Sequence, residues 1–149
     1  RGCIEGYSLA FPTARFDLSI EENTVPVTGI PDLIAQLFDK LISNAVEFSL
    51  PDTAIKVRLT IEDEVAVLRV MNQGPGLPEN MRENLFDSMV SVRGRYDGSS
   101  SHLGLGLYIA KVITEFHGGE IKLSNREDSH GVVATVRIPL MRLSSKLRL

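Results

Sequence analysis

Ser101-His102-Leu103-Gly104-Leu105-Gly106-Leu107-Tyr108-Ile109-Ala110-Lys111 marks the place where a loop becomes a helix. Gly104 and Gly106 stand just before an apolar run with helical spacing. Leu105, Ile109, Val112, Ile113 and Phe116 recur at three- and four-residue steps, which predicts a helix that buries those residues on one face. Glycine lets a backbone approach a ligand closely. The first turn of a helix adds free N–H groups and the positive end of its dipole. The combination suits a phosphate, although a glycine pair before a helix is by itself more often structural.

Just upstream, Asp87 to Leu103 is polar and rich in glycine and serine. Within a compact domain a loop of that length predicts a functional lid or a disordered segment. Glu79 to Phe86 reads as a short helix. Asn72-Gln73-Gly74-Pro75-Gly76-Leu77-Pro78 reads as a loop leaving Val65–Val70, a nearly all-apolar strand expected at the centre of the sheet. Ile55, Val57, Leu59 and Ile61 alternate with polar residues, so that strand forms a hairpin with Val65–Val70 around Glu62-Asp63-Glu64.

Pro31 to Phe48 is the strongest helix. Pro31 suits a first turn and Asp32 complements the dipole there. Ile34, Leu37, Leu41, Ala45 and Phe48 form an apolar stripe, and Lys40, Asn44 and Glu47 a polar one. Phe16–Ile20 reads as a strand. Val25-Pro26-Val27 reads as a short edge strand because of its proline. Arg1 to Pro12 is a lead-in with one helical turn. Downstream, His117-Gly118-Gly119 stops the glycine-led helix. Glu120–Ser124 and Val132–Ile138 follow as strands across a polar turn ending in Gly131, and the tail from Met141 to Leu149 frays.

These elements predict an α+β two-layer sandwich, a mixed but mainly antiparallel sheet with helices on one face. The 149 residues are enough for one domain with a full core, running from about Ala14 to Pro139. Hydrophobic residues make up 43% and charged residues 23%, the balance of a globular chain. A net charge of −3 argues against a nucleic-acid partner. No apolar run nears the roughly 20 residues that cross a bilayer, so direct membrane insertion by this domain is not expected. The lone Cys3 excludes an internal disulfide and a multi-cysteine metal site. The chain begins at Arg1 without a methionine, so a fragment of a longer protein is expected.

Taken in order, an asparagine on a polar helix stripe, a glycine loop after a central strand, and a lid followed by glycines at a helix start form one constellation. It resembles the catalytic, ATP-binding domain of sensor histidine kinases, in the superfamily shared with gyrase, Hsp90 and MutL (the Bergerat fold). Leu41-Ile42-Ser43-Asn44-Ala45-Val46-Glu47-Phe48-Ser49 is similar to the family's N box. Asn72 to Leu77 is similar to its first glycine box, Leu85 to Met89 to its F box, and Gly104-Leu105-Gly106-Leu107 to its second glycine box. Leu85 to Arg93 further resembles kinases paired with dedicated sortase systems in proteobacteria.

The resemblance implies roles. Asn44 would hold Mg²⁺, and position 72 would meet the adenine amino group. Gly74, Gly76 and Leu77 would line the base. Leu103, Gly104, Leu105, Gly106 and Leu107 would face the phosphates, which Arg93 and Arg95 of the lid could also reach. The implied reaction is transfer of the ATP γ-phosphoryl group to a histidine on an upstream dimerisation domain, with a response regulator as the next partner. The implied setting is the cytoplasmic part of an inner-membrane sensor.

The chain departs from the family at four places, one of them Ser101 and His102 where glycines often precede the second glycine box. Asn72 replaces an aspartate, Lys40 an asparagine one turn before Asn44, and Glu47 a basic residue. Lys40 stands where the ATPases of the superfamily place a glutamate that activates water, which disfavours hydrolysis. An asparagine at 72 still offers Oδ1 to adenine if its N–H₂ points elsewhere. Without charge assistance, adenine binding is expected to be weaker by about 1 kcal/mol, and Asn72→Asp to tighten it. His102, His117 and His130 lie in no heptad-patterned helix, so the acceptor histidine is expected outside the chain. A non-catalytic nucleotide-binding module and a serine kinase of the anti-sigma-factor type are the alternative readings.

Overall fold

The computed structural model describes residues 2–21, 25–77, 86 and 105–141, with side chains from residue 6. Its elements are α1 (Gly2–Ala10), β1 (Arg15–Ile20), α2 (Pro31–Glu47), β2 (Ala54–Glu62), β3 (Val65–Gln73), α3 (Leu105–Phe116), β4 (Glu120–Asn125) and β5 (Gly131–Pro139). The strands form one five-stranded sheet in the order β1-β2-β3-β5-β4. Only β1 and β2 run parallel; the other three pairs are antiparallel. The α+β expectation holds, and β3 is central. The Glu79–Phe86 helix, the 87–103 lid and the 142–149 tail lie outside the described residues, Phe86 apart.

Local chemistry fixes the elements. β2 and β3 meet through Asp63 (φ 48°) and Glu64 (φ 62°), both left-handed, as a two-residue hairpin turn requires. α2 starts at Pro31, whose missing N–H belongs to a position that needs no donor. α3 ends in a Schellman closure, with Gly118 at φ 69°. The Gly119 N–H donates to the Thr114 carbonyl and the Gly118 N–H to the Glu115 carbonyl, both at 2.9 Å.

The core lies between the sheet and its helices. Leu37, Leu41, Ile42 and Ala45 of α2 and Ala110 and Ile113 of α3 pack on Ile55, Val57, Val70, Ala134, Val136 and Ile138. The packed strand residues follow the period of two and the helix residues the period of 3.6.

Three sequence expectations need correcting. Val112 is 46% and Phe116 64% exposed, so they are not on the buried face of α3. That face is Ala110, Ile113 and Thr114, whose small members let α3 lie close to α2. Thr114 can be buried there because its hydroxyl donates to the Ala110 carbonyl at 2.7 Å. Val25-Pro26-Val27 is not a strand: a single bridge joins Val27 to Leu140, where Pro26 has no N–H for a longer ladder. The lead-in helix α1 spans nine residues, not one turn.

The opposite face of the sheet carries a charge network. Glu62 accepts hydrogen bonds from both terminal nitrogens of Arg69 (2.8 and 3.3 Å), from Arg137 (3.3 Å) and from the Thr60 hydroxyl (3.1 Å). The Arg69 guanidinium does most to hold the Glu62 carboxyl at about 2, well below its ordinary 4.5.

Candidate functional site

The C-terminal half of α2, the end of β3 and the start of α3 come together. A histidine latch sets this geometry at the far ends of the helices. His117 Nδ1 lies 2.7 Å from the Ile113 carbonyl, and Nε2 accepts the Ile30 N–H at 3.2 Å. A carbonyl can only accept, so Nδ1 carries the proton and the ring is the neutral tautomer. Gly29 is needed beside it, because a Cβ there would run into the His117 ring. With the end of α3 tied to the start of α2, the start of α3 reaches back toward the other half of α2. At about 1.5 Å per residue, Leu105 and Gly106 lie some 17 Å from the latch and Asn44 some 20 Å, roughly level.

Asn44 is half-buried on the polar stripe with Lys40 and Glu47. Among the described residues nothing bonds its side-chain amide. Lys40 Nζ lies 3.5 Å from Asp39 Oδ2, and Asp39 Oδ1 accepts the Tyr7 hydroxyl at 3.2 Å.

Asn72 is not in a loop. It lies in β3, opposite Val132 of β5, because the ladder continues to Gln73. Its side chain is 4% exposed, and Nδ2 donates to the Phe48 carbonyl, the C-cap of α2, at 3.1 Å. The N–H₂ therefore does point elsewhere. Among the described residues no donor reaches Oδ1, which remains an acceptor facing the helix side of the sheet.

The glycines have their own constraints. A Cβ at Gly74 would run into the Phe48 carbonyl oxygen, and one at Gly76 would crowd Asn125 Oδ1 at 3.1 Å. Gly74 is thus required by the protein's own packing, and Gly76 lies tight against Asn125. At Gly106, near the start of α3, a Cβ would meet nothing within 4 Å among the described residues. Leu105 and Leu107 are partly buried beside it. Arg93, Arg95, Leu103 and Gly104 lie outside the described residues.

The turn between β4 and β5 holds the loop after β3, and this the sequence reading missed. Asn125 Oδ1 accepts the Leu77 N–H at 2.6 Å. The Gly74 N–H donates to the His130 carbonyl at 3.3 Å. Arg126, its side chain only 2% exposed, points Nη1 at the Asn72 carbonyl at 3.5 Å and grips Asp128 with Nε (2.8 Å) and Nη2 (2.5 Å). Gly131, at φ 147°, lies so close to the Asn72 carbonyl that a side chain would collide with it. A signal for Asn125 did exist: it follows Ile121 and Leu123 in the inward-facing series of β4, where an apolar residue is the default.

The bidentate Arg126 hydrogen bonds hold the Asp128 carboxyl at about 2, below its ordinary 3.8. Glu62 and Asp128 thus both favour the charged form when folded. Their stabilisation is complete above the unfolded values and is lost as pH falls from about 4.5 toward 2. Acid unfolding is expected in that window. Glu62→Gln should flatten its upper part, as followed by circular dichroism; an unchanged acid transition would remove Glu62 from it.

The family profile described as histidine kinase-, DNA gyrase B- and HSP90-like ATPase matches residues 29–142. The chain belongs to that family. The sensor protein BasS of Escherichia coli is 35% identical over 88% of this chain, which covers 33% of BasS. The sensor protein KdpD of Clostridium acetobutylicum is 29% identical over 91% of this chain and is covered to 15%. The catalytic domain of the histidine kinase ThkA superposes with a TM-score of 0.75 at 27% identity, over 93% of this chain and 90% of that domain. ThkA is also known in complex with the response regulator protein TrrA. The chain thus spans a third or less of these two sensor proteins, but nearly the whole of a solved catalytic domain.

Proposed function

We propose that this chain is the ATP-binding catalytic domain of a two-component sensor histidine kinase. It transfers the γ-phosphoryl group of ATP to a histidine on a dimerisation domain of the parent protein, from which a response regulator takes it. The observation that carries this reading is Asn72. Its amide nitrogen is committed to the Phe48 carbonyl, so Oδ1 of this largely buried residue is left as the acceptor for an adenine amino group.

The other groups fit a nucleotide in the same place. Asn44, on α2 and with no hydrogen bond to its amide among the described residues, would supply a hard oxygen to Mg²⁺, which neutralises phosphate charge when bound. The Leu105 and Gly106 amides, at the start of α3 and with nothing against Gly106 among the described residues, would receive the phosphates. Lys40 would add positive charge one turn before Asn44. Leu103, Gly104, Arg93 and Arg95 complete the proposed phosphate side. The protein's work in such a transfer is mostly positioning and charge neutralisation.

No acceptor histidine stands out in the described chain. His117 is buried and uses both ring nitrogens in hydrogen bonds, so neither is available as a nucleophile. The likeness to BasS and KdpD supports a sensor protein as the parent, which we read as a membrane sensor with this domain on its cytoplasmic side. Among the described residues no helix is long and apolar enough to cross a membrane.

The test is phosphotransfer from labelled ATP with Mg²⁺. The chain alone should take up no acid-labile phosphate, and adding a histidine-bearing dimerisation domain should produce it on that domain. Label on His102, His117 or His130, or acid-stable phosphoserine on a supplied partner, would overturn the reading.

A further inference from the structure

Asn72 and Asn125 stand in one row of the sheet. Asn72 pairs with Val132 of β5, and Val132 pairs with Asn125 of β4. Residues in one row point to the same face, here the face that carries the core and the helices. The two asparagines thus flank Val132, about 10 Å apart at roughly 4.8 Å per strand. Asn72 faces the base side of the proposed site. Asn125 reaches over the sheet end and accepts the Leu77 N–H at 2.6 Å, among the described residues the shortest of three ties between the stretch from Asn72 at the end of β3 to Leu77 and the 125–131 turn. Gly76 is spared a side chain where Asn125 Oδ1 passes.

The three ties fall at different points of the loop. Arg126, from the turn, meets the carbonyl of residue 72; the His130 carbonyl meets the N–H of residue 74; Asn125 meets the N–H of residue 77. The first two lie next to β3, where the ladder already fixes the backbone. Leu77 lies beyond the ladder, and Gly74, Pro75 and Gly76 precede it. Its path depends on Asn125 far more than the path of Asn72 depends on Arg126.

We propose that Asn125 is a positioning residue for adenine recognition. It holds the Leu77 end of the loop so that the loop backbone and Asn72 Oδ1 present one adenine-shaped edge. The proposal rests on the nucleotide-binding reading above. The site then selects adenine over guanine through a side chain 48 residues away from the loop amide it holds.

The experiment uses the 149-residue chain and compares Asn125→Leu with Asn125→Asp. Leucine keeps the volume but offers no acceptor; aspartate keeps an acceptor oxygen. Titrations with ADP and GTP, and exchange of the Leu77 amide without nucleotide, are the readouts. Losing one hydrogen bond should weaken ADP by roughly five- to tenfold in Asn125→Leu. GTP should change little, so selectivity falls, and Leu77 exchange should rise. Asn125→Asp should restore both. ADP affinity unchanged in Asn125→Leu, or ADP and GTP weakened alike, overturns the role of Asn125 and leaves the kinase reading intact. A failed rescue by Asn125→Asp shows that the hydrogen bond is not the agent and overturns the proposal too. No adenine-nucleotide binding by the unchanged chain overturns the kinase reading, and the proposal with it.

Discussion

Asn44→Ala is expected to lower phosphotransfer to a supplied acceptor domain by roughly a hundredfold or more, the usual scale for removing one group that neutralises developing charge. The fold should not notice. Asn44 is half-buried on the polar stripe of α2, and among the described residues its amide makes no hydrogen bond. Alanine is also the better helix former, by a few tenths of a kcal/mol or more. Thermal stability should therefore stay level or rise slightly while activity collapses. The amide oxygen is assigned to Mg²⁺, so the loss should appear only with the metal. Nucleotide affinity measured in a chelator should match the unchanged chain, and the gain on adding Mg²⁺ should vanish. An Asn44→Ala chain that keeps its Mg²⁺ response would take Asn44 out of the metal site. Lys40→Ala tests a separate group on the same stripe. Its ammonium already has Asp39 at 3.5 Å, so its contribution to the phosphates should be smaller, and an unchanged rate would strike out Lys40 alone.

The fold was legible where local pattern and burial agree. α2 announces itself through Pro31 and the stripe Leu37, Leu41 and Ala45, all buried, and β2 and β3 through an alternating run and a nearly all-apolar run around a short polar turn. What stayed hidden is non-local. Nothing in Phe16–Ile20 says that β1 joins β2 in parallel, and nothing in the last hairpin says that β5 rather than β4 lies against β3. α3 misled for a different reason. Leu105, Ile109, Val112, Ile113 and Phe116 share one apolar face, but the buried face is turned past Ile113 toward Ala110 and Thr114, which hydropathy alone does not select.

The site divides in the same way. Asn44 lies on α2, Gly74 just past β3 and Gly106 near the start of α3, the elements on which the sequence placed them. Asn72 was expected in a loop because the glycines after it break the strand pattern. Yet it continues the inward series Ala66, Leu68, Val70, and a buried asparagine in such a series must have a partner. That partner, the Phe48 carbonyl, is a backbone group on another element and leaves no mark in the sequence. The same holds for Arg126. It reads as a solvated turn residue until the Asn72 carbonyl and Asp128 are seen around it.

The Phe48 contact reverses one expectation. From sequence alone, Asn72→Asp should tighten adenine nucleotides by restoring the aspartate of related kinases. In this chain it should instead cost stability, by about 3 kcal/mol, the scale of an uncompensated buried charge or lost charged hydrogen bond. The reason is geometric. Asn72 Nδ2 donates to the Phe48 carbonyl at 3.1 Å, inside a residue only 4% exposed. Aspartate would set a carboxylate oxygen against that carbonyl oxygen, two acceptors with no proton between them. Arg126 lies near the backbone of Asn72, but its charge is already held by Asp128 in two hydrogen bonds. The broken contact also frees the C-cap of α2, the helix that carries Asn44. Any charge-assisted gain toward adenine is therefore offset by loosening between the base side and the metal side of the site. Denaturant unfolding of both chains, with ATP and ADP titrations, measures the two effects separately. A stable Asn72→Asp chain that binds both nucleotides several-fold more tightly would show that the Phe48 carbonyl readily finds another donor, and that Asn72 does not couple β3 to α2.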